Sequence, residues 1–81
     1  MLPFDIDEVH VHVSKHFRNT WMRKWDWDQA DLREALRAAH RVSRVGKGKW
    51  EIFVRKKGHK KLVVVYDAED DEVFVITGSE G

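Results

Sequence analysis

The chain has 81 residues and a mass of 9.6 kDa, with 42% apolar residues, 36% charged residues and no cysteine. A chain of this length is expected to form one domain (1–81) that buries only about 60% of its unfolded surface. Without cysteine it has no disulfide framework, thiolate metal site or cysteine nucleophile. The net charge of +1 conceals a segregation: residues 1–14 carry −3, residues 15–61 carry +10, and residues 62–81 carry −6. Such blocks predict a basic surface able to meet a polyanion, unless the acidic ends fold back and cancel its field. The longest apolar run, Leu62-Val63-Val64-Val65-Tyr66, is far short of the ~20 residues that span a bilayer. The acidic start Met-Leu-Pro-Phe-Asp-Ile-Asp-Glu lacks the basic opening of a signal peptide, so a cytoplasmic location and no membrane partner are expected.

Val9-His10-Val11-His12-Val13 alternates with the period of a strand that buries one face. That places His10 and His12 on the solvated side of an edge strand. Ser14 stands where an N-cap belongs, ahead of a first helix in which Phe17, Trp21 and Trp25 form one apolar stripe. Asp28 is the N-cap of a second helix, with Asp31 in the first turn, where an acid suits the helix dipole. Leu32, Ala35, Leu36 and Ala39 then predict an amphipathic helix over about 29–40.

From residue 41 the period changes to two. Arg41 to Val45 reads as a strand, and because Val42 and Val45 are three apart it is expected to be either bulged or short. A turn at Gly46–Lys49 follows, then a strand Trp50–Arg55, with Trp50, Ile52 and Val54 on one face. After a glycine turn at Lys57–Lys60, Leu62–Tyr66 is apolar on both faces and so is predicted to be the central strand. Asp67–Asp71 forms the third turn and Val73–Thr77 the last strand, ahead of a frayed tail at 78–81. The fold class is therefore α+β: an antiparallel sheet of about four strands with two helices packed on one face, in the order β-α-α-β-β-β-β.

Two groups of side chains point to a nucleic-acid backbone. Arg33, Arg37, Arg41 and Arg44 fall at helical spacings that put at least the first two or three on one edge, and guanidinium forks match phosphate oxygens. The loop Arg55-Lys56-Lys57-Gly58-His59-Lys60-Lys61 surrounds one glycine with charge, so Arg55, Lys56, Lys57, Lys60 and Lys61 join the RNA-binding candidates. His59 adds an imidazole, the side chain most often used to accept or donate a proton in catalysis. It could therefore move a proton in metal-free RNA cleavage while Arg and Lys neutralise the phosphorane. His16, in the first helical turn beside Lys15 and Arg18, is the second proton-transfer candidate. His10 and His12 share a strand face but lack the further ligands zinc requires, so no metal or other cofactor is expected. Of the four tryptophans, Trp21 and Trp25 belong to the core and Trp27 packs under the turn between the helices. At most one tryptophan is left for base stacking, and Trp50 starts a strand where it can be partly exposed.

The opening strand leading into Ser14-Lys15-His16-Phe17, the basic first helix, and Asp28-Gln29-Ala30-Asp31-Leu32-Arg33-Glu34-Ala35-Leu36 carry a family resemblance. Together with Trp50-Glu51-Ile52-Phe53-Val54, Leu62–Tyr66 and Val73–Thr77, they resemble the RelE/ParE-like toxin superfamily, more closely its BrnT-like and small-domain branches, over residues 9–77. The resemblance implies a RelE-like fold and an RNA-directed toxin domain, a metal-independent mRNA endoribonuclease, ribosome-dependent or free. It also implies RNA or the ribosome as target and a cognate antitoxin protein as inhibitor. The alternative is a non-catalytic relative acting as a protein-binding or dimerising module, a homodimer among the options. Its motive is the acidic C-terminal strand, and a sheet face on which Phe53, Phe74 and Ile76 have little cover.

Overall fold

A computed structural model of the chain describes residues 2–80. β1 (His10–Val13) leads into a helical segment, α1, over residues 15–25, followed by α2 (Gln29–Arg37). Four strands complete the chain: β2 (Ala39–Gly46), β3 (Lys49–Arg55), β4 (His59–Asp67) and β5 (Glu72–Ser79). They form one sheet in the order β1-β5-β4-β3-β2, which makes β4 the central strand.

The sheet corrects the expectation of about four antiparallel strands. It has five strands and is mixed, because β1 pairs with β5 in parallel while the other three pairs are antiparallel. Parity explains the difference. Two successive helices return the chain so that β2 runs opposite to β1, and three hairpin reversals then bring β5 into the direction of β1.

Two caps set the helices. Ser14 Oγ accepts from the Phe17 N–H at 2.9 Å and donates to the Ile76 carbonyl at 2.8 Å, so the N-cap also ties α1 to β5. The turn Phe17–Met22 of α1 is π-helical, and its i, i+5 register turns Met22 inward in place of Trp21. Phe17, Met22 and Trp25 are buried, whereas Trp21 is half-buried against them. Asp26 ends α1 in the left-handed region at φ 57°, a conformation that aspartate tolerates. At α2, Asp28 and Asp31 form a reciprocal capping box with bonds of 2.8 and 3.0 Å. The backbone N–H of Asp28, with further help from the Asp28 side-chain bond and Lys56, holds the Asp31 carboxyl below its ordinary range against the opposing effect of desolvation.

Helix α2 stops at Arg37, three residues before the expected boundary, and Ala39 pairs with Val54 of β3. Ala39 lies on the core side in either conformation, so the helical period runs on through a residue that belongs to the strand. The expected irregularity in β2 is present as two register shifts, between Ala39 and Arg41 and between Arg44 and Gly46. The C-terminal tail is not frayed over its described part. β5 reaches Ser79, and Gly78 is buried so closely that an added Cβ would lie 2.9 Å from Trp25 and 3.1 Å from Phe17. Glu80 accepts from Lys24 Nζ at 3.0 Å; Gly81 lies outside the described residues.

Both helices cover one face of the sheet. Phe17, Met22, Trp25, Leu32, Ala35 and Leu36 pack against Ile52, Val54, Leu62, Val64, Val73 and Val75, and the N-terminal segment adds Phe4, Ile6 and Val9. The outward side chains of the same strands alternate with these and stay half-buried or exposed. No helix among the described residues is long and apolar enough to cross a membrane.

Candidate nucleic-acid interface

The arginine series divides where α2 ends. Arg33 donates to the carbonyls of Ile6 at 2.7 Å and Val9 at 3.0 Å, clasping the N-terminal segment onto α2. Arg37 pairs with Asp7 of the same segment. These two arginines hold the chain to itself, so one acidic block does fold back on basic charge. Arg41 and Arg44 lie on β2 and not on a helical edge, and they point to opposite sides of the sheet. Arg44 faces the helix side, as does its register partner Trp50, with its guanidinium 5.9 Å from that ring and its Nε donating to the Gly46 carbonyl. Arg41 faces outward over Phe53, 5.1 Å from the ring centroid.

The β3–β4 loop divides in the same way. Lys60 is 6% exposed and sits on the core face, opposite Val54. Its Nζ donates to the carbonyls of Lys56 and Lys57 at 2.9 and 2.8 Å and lies over Trp25 and Trp27. A buried ammonium requires this degree of compensation, and its burial takes Lys60 out of the RNA-binding candidates. Lys56 reaches back to Asp31 and Glu34 on α2. Lys61 faces outward but is 3.5 Å from Glu51.

What remains is compact. Arg55 and His59 are register partners at the end of β3 and the start of β4, both exposed. His40, in the β2 irregularity, brings its ring to 6.0 Å from that of His59, edge to face. Arg41 and Phe53 are paired one step along, and Phe53 in turn opposes Lys61. Lys57 stands on the adjoining loop with φ 55°. Arg41, Arg55 and Lys57 form no ion pair among the described residues. One corner of the uncovered face thus carries three cations (Arg41, Arg55 and Lys61) and two imidazoles around a half-buried aromatic ring, with the exposed Lys57 on the adjoining loop and Glu51 paired to Lys61. It is a surface and not a cleft; no cavity is found among the described residues.

The two histidine candidates do not meet. His16 Nε2 lies 3.1 Å from Thr77 Oγ1 at the β1–β5 side. Thr77 opposes Val63, and His59 is about 13 Å further along that strand. Two features escape the sequence reading. His40 falls inside the stretch that reads as helix, and only its release into β2 puts it beside His59. At the other edge, His12 Nε2 lies 3.0 Å from Glu72 Oε2 and its ring stacks on Phe74 at 4.9 Å, a contact that depends on the parallel β1–β5 register. The exposed His10 and His12 match the expected edge-strand placement. No protein-family model, curated protein or solved structure matches the chain.

Proposed function

We propose that this protein is an RNA-directed domain of the toxin-like kind, which engages single-stranded RNA at the basic corner of its uncovered sheet face. The observation that carries the reading is the convergence of Arg41, Arg55 and Lys61 with His40 and His59 around Phe53, with the exposed Lys57 on the adjoining loop. Phosphates bind to the guanidinium and ammonium groups, while the ring of Phe53 offers a stacking surface for a base. An open sheet face suits unpaired strands, whose bases can splay onto aromatic rings.

The same corner carries the means for metal-independent cleavage. One imidazole accepts the proton of the RNA 2′-hydroxyl as that oxygen attacks phosphorus. The second, protonated, donates to the departing 5′-oxygen, leaving a 2′,3′-cyclic phosphate and a 5′-hydroxyl. The cations stabilise the charge that develops on the phosphorane. His59 and His40 take these roles here, in place of His59 and the distant His16.

The test is a single-stranded RNA with a labelled 5′ end, incubated with the protein in excess chelator, and a translation extract whose message ends are mapped by primer extension. The expected result is retention of the RNA, with cuts lost in His59→Ala and His40→Ala while binding survives. RNA that is neither bound nor cut, with the protein folded, removes the reading. RNA that is bound and left whole, with translation untouched, removes its catalytic half.

A further inference from the structure

The outward side chains of the central strand β4 read, in order, His59, Lys61, Val63, Val65 and Asp67, because Lys60, Leu62 and Val64 alternate inward. The strand therefore presents base at its start, an apolar middle and acid at its end. The loops prolong the pattern: Lys57 lies before the basic end, and Glu69 and Asp70 lie beyond the acidic end. On β5 Phe74, the register partner of Val65, extends the apolar middle and is 38% exposed despite its size, while on β3 Phe53 lies beside Lys61 at the basic end. Such a face is complementary to itself when one copy is turned end over end.

We propose that a second copy of this chain closes the uncovered sheet face, through a two-fold axis that crosses the strands at their middle. That axis lays β4 antiparallel on β4 of the partner. It sets Lys61 towards the partner's Asp67, and the loop at 56–58 towards the partner's acidic turn at 68–71. Strand directions then stay aligned, as when two sheets pack face to face in a sandwich. The contact is isologous, so each charge match occurs twice. Five strands at ~4.8 Å and about seven residues at ~3.3 Å give a face of roughly 550 Å² per copy. The total, about 1,100 Å², lies at the lower limit of specific interfaces and describes a reversible dimer. A second copy fits better than an unrelated acidic partner, because it satisfies the basic and acidic ends together and covers Phe74. RNA and the second copy use the same basic corner, so they exclude each other; the dimer is tested without RNA and stands apart from that reading.

Sedimentation equilibrium of the full chain at low salt, over a hundredfold range of concentration, measures the association directly. The wild-type chain is expected to dimerise, and Phe74→Ser to weaken the dimer at least tenfold. Lys57→Glu alone and Asp70→Lys alone each set like charges together and should sediment as monomers, whereas their equimolar mixture restores both matches and should dimerise. Circular dichroism confirms that each exposed substitution leaves the fold intact. A wild-type chain that stays monomeric overturns the proposal, even if it binds RNA. So does a dimer indifferent to Phe74→Ser and to both charge reversals, since it would form through another surface.

Discussion

The two faces of this sheet are built from alternate residues of the same strands, yet they treat charge in opposite ways. On the helix-covered face even a cation serves structure: Lys60 is held by two carbonyls and two tryptophan rings. Arg33, beside the covered face, does the same for the N-terminal segment. On the uncovered face Arg41 and Arg55, and on the loop beside it Lys57, stay exposed to solvent. A basic side chain is therefore available for function according to the face it occupies, and neighbours in sequence separate on that ground.

The contrast can be broken most directly by truncation on either side of one strand. Leu62→Ala, on the covered face, is expected to cost about 2–5 kcal/mol through lost burial and the cavity left behind. Val63→Ala, its outward neighbour, should cost no more than about 1 kcal/mol. Urea unfolding in dilute solution measures both, and equal losses would mean that the outer face is covered as well. Gly78→Ala tests the closest approach beneath α1. A Cβ there meets the rings of Trp25 and Phe17, so overpacking should cost about 1–3 kcal/mol.

A pair of arginines sharpens the comparison. Arg33→Met removes the clasp on Ile6 and Val9, lowering stability by about 1–3 kcal/mol and speeding amide exchange in residues 4–9. Arg55→Met, which breaks no internal bond, should leave stability within about 0.5 kcal/mol.

The smallest effect concerns pH. The hydrogen bond from Lys24, then that from Trp25, holds the Glu80 carboxyl below its ordinary range. The unfolded chain binds that proton more readily than the folded one. The contribution of Glu80 is therefore complete above the ordinary glutamate pKa and is lost as pH falls through the lowered value. Glu80→Gln should flatten that part of the stability–pH curve, read by thermal unfolding across the acidic range.

Much of the fold is legible in local chemistry. Ser14, Asp28 and Asp31 announce both helix starts, the alternation around Ile52 fixes the inward face of β3, and the apolar run Leu62–Tyr66 marks the centre of the sheet. Those signals lie within a few residues of the structure they produce. The parallel pairing of β1 with β5 is not legible in this way, because it joins His12 to Phe74 across most of the chain and rests on strand parity. The fate of the basic residues is equally hidden. Arg33 and Arg41 share one helical spacing in the sequence, but a helix that ends at Arg37 sends them to different tasks. Lys60 reads as surface charge because its neighbours are charged, although period-two alternation with Leu62 and Val64 already places it inward. His40 needed both the early helix stop and the β2 bulge to reach His59.

The proposed RNA contact lies at the uncovered corner and not at the arginine edge of α2. Binding of single-stranded RNA as a function of salt, for the wild-type chain, the Arg41→Ala/Arg55→Ala double variant and Arg37→Ala, tests it most directly. The double variant should lose affinity and about 1.4 units of the log–log salt slope, roughly 0.7 for each phosphate contact removed from a single strand, while Arg37→Ala leaves both unchanged. An unchanged double variant, or an equal loss in Arg37→Ala, would contradict it.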